Sequence, residues 1–420
     1  MLRNSNEFHI EYNLNGDSME PMQGCRMIGA VRAFIGIEDG YIVLHSPPGC
    51  HSGVMMLEVL QDNSDWRIAV SGMHQRDLIY GAEDKCLLAI KKVYENFKPS
   101  FIVSMDCCSS GILGEDLESV VENAKKEINT EVIYFSGAGY HSLAYYGYEE
   151  ALEGLIKFME QKEIIKNSIN LIGIKIDDFK VKEDIEEIKR ICNNAGIGIN
   201  AILTYDTFEN IKNAPNAELN VVFGDGIKLA EEMKKKFGIP YVIVDYPYGL
   251  NGTLEFLNAM DEFFDVNFDF VEKEKEKINK IVEKVQFYLK GFYGMSCAVV
   301  GDYKAIGFAK FLSDEIGFDI DTLGISKFYN MENKLKEIKD FVENVVIDDR
   351  KELEDKIMKN DIEVLFGSTY EKKIAQEKGI PLIRFSYPVV DEVSLINSPL
   401  AGFNGIPTII ERMINEIIKA

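Results

Sequence analysis

Three cysteines in the first quarter of the chain, Cys25, Cys50 and Cys108, each lie close to a glycine in a turn-like stretch of sequence. Glycine lets neighbouring backbone approach closely, so amide N–H groups can point at a thiolate sulfur. Thiolates that bind iron–sulfur clusters receive hydrogen bonds of this kind. The three thiols are therefore candidate ligands of a metal cluster.

The cysteines are 25 and then 58 residues apart, which is too wide for a compact zinc site, so only the fold can bring them together. Cys107 is an alternative third thiol. Adjacent residues at a strand end point to opposite faces, so only one of Cys107 and Cys108 can face a shared site. We expect one of them to be a ligand and the other a packed thiol.

The remaining cysteines, Cys86, Cys192 and Cys297, lie in apolar helical or strand patterns, which predicts buried core thiols. Seven cysteines are an odd number for a disulfide framework. The N-terminal sequence has no apolar core of signal-peptide length, and no run of 18 apolar residues occurs. We therefore expect a cytoplasmic protein without membrane spans, whose cysteines stay reduced.

The histidines add weaker signals. His45 ends a predicted strand and His51 directly follows Cys50, so either is placed to form hydrogen bonds near a cluster or to donate protons. For His51 an ordinary polar loop residue is an equal alternative. His74 has no cysteine or histidine at ligand spacing and is expected to be a solvated loop residue.

The charge balance excludes several classes of partner. Lys and Arg number 46 against 69 Asp and Glu, which gives a net charge of −23. Such a surface repels phosphate backbones and anionic membranes, so no nucleic acid and no membrane is expected as a partner. The sequence contains no GxxxxGK[ST] motif and therefore no ATP-binding P-loop of its own.

Short apolar runs alternate with amphipathic stretches, a pattern typical of βα units and parallel sheets. The predicted strands are 41–44, 101–104, 132–135, 169–174, 199–203, 220–223, 241–244, 296–300, 345–347, 364–366 and 382–385. The predicted helices are 82–96, 115–127, 183–195, 225–237, 271–290 and 303–316. The three cysteines are placed in loops of the first block.

A length of 420 residues predicts two to three domains. We expect an N-terminal cluster-binding α/β domain over 1–160 and a middle Rossmann-like domain over 161–270. A connector helix and a C-terminal Rossmann-like domain are expected over 271–420. In the last domain Asp302 follows a predicted strand, at the carboxyl end where open α/β sheets bind ligands.

The sequence from Cys25 to Asp116 resembles the α and β subunits of nitrogenase component 1 and their relatives. The matching words are Cys25 followed by Gly29-Ala30-Val31, then Val43-Leu44-His45-Ser46-Pro47-Pro48-Gly49-Cys50, then Cys108 followed by Gly114-Glu115-Asp116. The last spacing selects Cys108 over Cys107. Further similarity extends over nearly the whole chain.

The resemblance implies an α/β fold of three Rossmann-like domains, with parallel sheets flanked by helices, arranged around a central cleft. It implies that Cys25, Cys50 and Cys108 bind an iron–sulfur cluster, of [4Fe-4S] or [8Fe-7S] type, shared at a subunit interface. It also implies two partners. One is an ATP-dependent iron protein that delivers electrons, and the other is a paralogous subunit or a second copy of the chain, in a dimer or tetramer.

Two departures from the family narrow the expected function. Gly224 stands where a cysteine of the nitrogenase α subunit anchors the iron–molybdenum cofactor, and no histidine follows His141. Dinitrogen reduction by this chain alone is therefore not expected, and the C-terminal sequence is more similar to the β subunit. The expected protein is a subunit of the catalytic component of a nitrogenase-like reductase, which relays electrons to a substrate.

Two other functions remain open from the sequence. The same fold with the same cysteines serves as a scaffold on which a metal cofactor is assembled. Alternatively, the chain is a metal-free α/β protein that binds a small ligand, and the cysteines are core residues. The substrate is also open, since a tetrapyrrole, an organosulfur compound and a cofactor precursor all fit.

Overall fold

The computed structural model describes residues 9–12, 24–59, 67–338 and 341–419, which form an α/β protein with parallel sheets flanked by helices. In chain order the strands are β1 His9–Tyr12, β2 Gly40–His45, β3 Ile68–Val70, β4 Phe101–Asp106, β5 Glu131–Phe135, β6 Ile165–Ile172, β7 Gly198–Ile202, β8 Ala217–Val222, β9 Tyr241–Ile243, β10 Ser296–Gly301, β11 Asp319–Ile325, β12 Val342–Ile347, β13 Val364–Gly367 and β14 Leu382–Arg384.

Helices connect most of these strands. In chain order they are α1 Arg26–Phe34, α2 Pro48–Val59, α3 Asp77–Tyr80, α4 Glu83–Phe97, α5 Cys108–Leu113, α6 Leu117–Glu127, α7 Ala144–Glu153, α8 Val181–Ala195, α9 Phe208–Lys212, α10 Ile227–Phe237, α11 Gly249–Asp261, α12 Val271–Phe292, α13 Lys304–Phe311, α14 Met331–Ile338, α15 Arg350–Lys359, α16 Lys372–Lys378 and α17 Gly402–Lys419. Among the described residues, none of these helices is both long and apolar enough to cross a membrane.

The described residues fall into two compact units. The first unit contains β1, residues 178–199 and the described residues from 242 onward. Its six-stranded sheet has the order β1-β12-β11-β10-β13-β14, with parallel pairing throughout. The first strand of its βα series, β10, therefore lies inside the sheet, and later strands add on both sides of it, as in a doubly wound fold.

The second unit contains residues 24–177 and 200–241. Its N-terminal sheet has the order β3-β2-β4-β5, and a further sheet has the order β7-β6-β8-β9. In the N-terminal sheet β2 pairs in parallel with β4, and β4 with β5. The neighbouring helices α4 and α6 cover one face of this sheet with a fully apolar cluster.

Regular alternation made most of the strands predictable, but fewer of the helices. Each strand predicted from the sequence overlaps an observed strand, and each predicted helix overlaps an observed helix. The helix predicted at 303–316 is observed as α13 followed by one π-helical turn, Leu312–Ile316. The predicted connector is α12, and the division into three domains stays a prediction.

The placement in loops is wrong for Cys50 and Cys108, which lie in helices, whereas Cys25 lies just outside one. Cys25 is the residue immediately before α1, Cys50 is the third residue of α2, and Cys108 is the first residue of α5. Glycine and proline near these cysteines suggested turns. A proline is tolerated at the first position of a helix, however, because its missing N–H would have no partner there.

Candidate metal centre at the carboxyl end of the first sheet

Two neighbouring strands deliver three of the thiols to one edge of the N-terminal sheet. Strands β2 and β4 pair in parallel, with His45 opposite Asp106 at their carboxyl ends. The chain then enters α2, which carries Cys50, and α5, which begins at Cys108. Because parallel neighbours end at the same edge, residues 58 positions apart in sequence meet there.

Cys25 reaches the same edge through the packing of α1 against α7. It forms an isolated antiparallel bridge with Leu143, just before α7. The two helices touch backbone to backbone. A Cβ on Gly29 would lie 1.8 Å from the carbonyl oxygen of Ala144, and one on Gly147 would lie 2.1 Å from that of Arg26. Only glycine allows this approach, so these two glycines fix the position of Cys25.

Gly139, in the loop after β5, brings Cys25 and Cys108 together. Its backbone N–H donates a hydrogen bond to Cys108 Sγ, at an N···S distance of 3.2 Å. A Cβ built on Gly139 would lie 2.9 Å from Cys25 Cβ, 3.2 Å from Cys108 Sγ and 3.6 Å from Cys25 Sγ. Both thiols therefore line a cradle that a side chain at position 139 would fill.

Cys50 and Cys107 form the second thiol pair. The interaction between these two thiols is the largest influence on the pKa of each. It lowers the pKa of Cys107 to about 4, with further help from Ser109 and Ser110 and against the effect of burial. It raises the pKa of Cys50, as do burial and the negative charge of neighbouring thiolates. One proton is therefore shared by this pair.

Cys50 is close enough to the other three thiols to feel their charge. The charges on Cys107, Cys25 and Cys108 each raise the pKa of Cys50. The two thiols of the Cys107–Cys108 pair differ in exposure, since Cys107 is 2% exposed and Cys108 is open to solvent. Strand alternation does not choose between them, because both follow the end of β4, one before α5 and one as its first residue.

Behind the thiols lies a buried network around His45. Its Nε2 is 2.8 Å from Glu115 Oε2, and its Nδ1 is 2.9 Å from Ser71 Oγ. Its carbonyl oxygen accepts a hydrogen bond of 2.8 Å from Ser110 Oγ, which in turn accepts the N–H of Cys107 at 2.9 Å. The network ties the end of β2 to the start of α5, and thus holds the cysteine-bearing segments in register.

Sequence reasoning named Glu115 only as part of a motif and did not anticipate its role. Gly114 ends α5 in the left-handed conformation, with φ of +70°, and Asp116 caps α6 through the N–H of Ser119. Glu115 is thereby turned inward to His45, and it also accepts the N–H of Ala82. The role of Gly139 is not visible in the sequence, because no local pattern marks its contact with two cysteines.

The other predicted residues are where the sequence placed them. Cys86, Cys192 and Cys297 are all fully buried, which confirms the core prediction. Burial raises the pKa of Cys86 to about 11 and that of Cys192 to about 12. His74 is exposed, as predicted. Burial lowers the pKa of His51.

The donor set of the site favours one class of metal group. In the described part of the chain, no three His, Cys, Asp or Glu side chains are arranged around a single metal ion. The thiols instead fit a cluster of several irons, whose ligands are spread over its surface. Hydroxyl groups contact the sulfur of Cys107, and an amide N–H contacts that of Cys108, as cluster sulfurs require. The residues present therefore fit an iron–sulfur cluster better than a mononuclear site.

Sequence similarity to a known protein family extends over almost the whole chain. The model of the family described as nitrogenase component 1 type oxidoreductase matches residues 25–418. The B-type subunit of the light-independent protochlorophyllide reductase from Chaetosphaeridium globosum is 27% identical, over 92% of this chain and 81% of its own length. The nitrogenase iron-molybdenum cofactor biosynthesis protein NifE of Clostridium pasteurianum is 28% identical, over 85% of this chain and 80% of its own.

Two further similarities concern nitrogenase proteins. The nitrogenase molybdenum-iron protein beta chain of Methanococcus maripaludis is 23% identical, over 95% of this chain and 94% of its own length. A solved structure described as nitrogenase Cp1 at pH 6.5 superimposes with a TM-score of 0.83 at 21% identity. The alignment covers 96% of this chain and 93% of that one, so the two share a fold.

Proposed function

Because the chain belongs to the nitrogenase component 1 type oxidoreductase family, we propose that it is a subunit of the catalytic component of a nitrogenase-like reductase. In this proposal Cys25, Cys50 and Cys108 bind an iron–sulfur cluster at a subunit interface. A cluster held there would supply one-electron transfer between an ATP-dependent iron protein and a substrate. The convergence of widely separated thiols at one sheet edge is the observation that carries the proposal.

The residues of the site have distinct tasks in this function. When bound, an iron–sulfur cluster accepts and releases single electrons. Cys50, half-buried, holds the inner side, whereas the exposed Cys108 holds the side that faces a partner. The N–H of Gly139 stabilises negative charge on Cys108 Sγ. The buried His45–Glu115 pair joins the end of β2 to the segment after α5, and so holds the cysteine-bearing segments in place while the charge at the site changes.

An apolar surface beside the site supports the proposal that a partner subunit binds there. Ile79 and Tyr80 on α3 and Ile112 on α5 are each at least 75% exposed, and α3 contacts α5. Tyr140, next to Gly139, is 53% exposed. Large apolar side chains clustered at an exposed thiol are typical of surfaces that a protein partner covers. The partner in the proposal is a paralogous subunit or a second copy of this chain.

A scaffold for assembly of a metal cofactor is the second candidate. Its support is the similarity to a protein named for cofactor biosynthesis, which is as high as the similarity to the reductase subunit. The two functions predict the same ligands but different outcomes in an assay. A reductase component turns over a small substrate when iron protein and ATP are present, whereas a scaffold transfers its metal to an acceptor protein.

The first test is metal content after anaerobic purification. We expect a coloured protein that contains iron and acid-labile sulfide and gives an EPR signal after reduction. The Cys25→Ser/Cys50→Ser/Cys108→Ser variant is expected to lack all three, whereas the core variant Cys192→Ala keeps them. A colourless, iron-free oligomer with intact cysteines would contradict the proposal. If the triple variant bound a small ligand and was otherwise unchanged, the metal-free binding protein would be favoured instead.

A further inference from the structure

The loop between β5 and α7, residues 136–143, carries the amide donor of the thiol site. Gly139, near its middle, donates its N–H to Cys108 Sγ at an N···S distance of 3.2 Å, and its backbone packs against Cys25. A hydrogen bond weakens steeply as its angle departs from linear, so this bond depends on how the loop is held. The contacts that fix the two ends of the loop therefore control the hydrogen bond to this sulfur.

Arg26, the first residue of α1, contacts both ends of this loop. Its Nε donates to the carbonyl oxygen of Ser136 at 2.6 Å. Its Nη1 donates to Ser142 Oγ at 3.2 Å, and its backbone N–H donates to the carbonyl oxygen of Ser142 at 3.1 Å. Because Arg26 directly follows Cys25 in the chain, these bonds also fix the loop relative to that thiol.

The guanidinium of Arg26 is itself held in one orientation. Its Nη1 also contacts Glu150 Oε2, and its central carbon lies 5.0 Å from the ring centroid of Phe135. The Arg26 side chain is 14% exposed. A planar guanidinium presents several donors at fixed angles, whereas the ammonium of lysine is a single nitrogen with the same charge. A lysine at this position therefore keeps the charge but cannot reach both ends of the loop together.

From this geometry, and resting on the proposed function, we infer that Arg26 is a positioning residue for the cluster. It holds the loop so that the Gly139 N–H points at Cys108 Sγ, and it thereby raises the reduction potential of the bound cluster. Hydrogen bonds to the sulfurs stabilise the added negative charge of a reduced cluster, so each such bond makes reduction easier. When the loop is not held, the bond weakens and the cluster is harder to reduce.

The test compares the full-length wild type with Arg26→Lys and with the milder Ser142→Ala, all purified without oxygen. The midpoint potential of the cluster is measured by an EPR-monitored redox titration. Hydrogen exchange of the peptide that covers residues 136–143 is measured by mass spectrometry on the same preparations. Iron content and circular dichroism establish that each variant is loaded and folded.

Arg350→Lys is the matched control. The Arg350 side chain is 12% exposed, and its guanidinium bonds to the carbonyl oxygen of Tyr370 and to the carboxylate of Glu371. It thus has the same kinds of partner as Arg26, a backbone carbonyl and an acidic side chain, but it belongs to the other compact unit. We expect this variant to match the wild type in potential and in the exchange of the loop.

We expect Arg26→Lys to lower the equilibrium constant for one-electron reduction about tenfold, which is a shift of about 59 mV to more negative potential. The loop peptide is expected to exchange faster. Ser142→Ala, which removes one of the loop contacts, is expected to change both in the same direction by less. It also keeps the test open if Arg26→Lys does not fold.

Two outcomes separate this inference from the proposed function. Folded, iron-loaded Arg26→Lys and Ser142→Ala proteins with the wild-type potential and exchange would overturn the inference and leave the proposed function intact. A more negative potential in Arg350→Lys as well would also overturn it, because the effect would then not come from the loop. An iron-free wild type would overturn the proposed function and, with it, the effect on the potential.

Discussion

Two sheet edges in the unit of residues 24–177 and 200–241 satisfy their buried polar groups in opposite ways. At the carboxyl end of the β7-β6-β8-β9 sheet, Lys175 pairs with Asp225, and Arg32 Nε lies 2.6 Å from Asp177 Oδ2. At the carboxyl end of the β3-β2-β4-β5 sheet, the Cys107 sulfur contacts serine hydroxyls, and the Cys108 sulfur accepts a hydrogen bond from a backbone N–H.

At the first edge, buried charges are paired with opposite charges of the same chain. At the thiol edge, bound cations would provide such partners. Lys175 and Asp225 are each 6% exposed, so each buried charge has its counter-charge supplied by the chain itself. At the thiol edge the charges of Cys25, Cys107 and Cys108 raise the pKa of Cys50, and bound iron ions would supply positive charge there. Gly224 stands where the nitrogenase α subunit has a cofactor-anchoring cysteine. It lies directly before Asp225, at the edge with paired charges.

The largest expected effect comes from breaking the ion pair. Lys175→Met leaves Asp225 buried without this cation, which is expected to lower the free energy of unfolding by about 3–5 kcal/mol. Lys175→Met/Asp225→Leu is expected to recover most of that loss, because both charges are gone. Urea denaturation of the three proteins measures both values. A loss below about 1 kcal/mol in the single variant would show that this edge does not depend on the pair.

The next effect is a dependence of stability on pH at the same edge. Burial, and then the charge of Asp225, raise the pKa of Glu149 from 4.5 to about 7. The folded state therefore holds this proton more tightly than the unfolded state. Its contribution to stability is greatest below pH 4.5 and falls as the pH rises to about 7, by up to about 3 kcal/mol.

Glu149→Gln removes this titration. Its free energy of unfolding, measured by urea denaturation between pH 4.5 and 7, is expected to fall less steeply than that of the wild type. The comparison isolates Glu149 from other buried carboxyls, such as Asp184, which both proteins share. Parallel profiles for the two proteins would rule out a raised pKa at Glu149.

At the thiol edge, Gly139→Ala tests whether the cradle is as tight as its distances indicate. The added Cβ would lie 2.9 Å from Cys25 Cβ, so one of the two segments must shift. We expect a loss of about 1–3 kcal/mol in stability and a lower iron content per chain. Gly154→Ala is the matched control, because a Cβ there meets nothing within 4 Å, and it is expected to leave iron unchanged.

The smallest expected effect is that of a core thiol. Cys86 is fully buried, and its sulfur lies 3.3 Å from Ser104 Oγ. Cys86→Ala is expected to lower the free energy of unfolding by about 1 kcal/mol, through lost packing, with no change in iron content. Denaturation and iron analysis on the same preparation check both parts. Loss of iron here would mean that packing, and not ligation, explains the cysteine effects.

The elements of the fold were largely predictable because they depend on local patterns. Leu171 and Ile172 belong to a short apolar run that predicts the strand β6. Ile185 and Ile188 belong to an amphipathic stretch that predicts the helix α8. Cys86, Cys192 and Cys297 were recognised as core thiols for the same reason. The pattern did not predict α1, α2 and α5, where glycine and proline beside the cysteines suggested loops, and several further helices of the described residues were not predicted either.

The sequence by itself therefore determined the alternation of strands and helices, the parallel sheets and the three candidate thiols. Only the tertiary structure decided how the thiols meet. The parallel ends of β2 and β4, the close packing of α1 on α7, and Gly139 together brought Cys25, Cys50, Cys107 and Cys108 to one edge. Local patterns record which face of an element is buried, whereas convergence depends on contacts between segments that are distant in sequence.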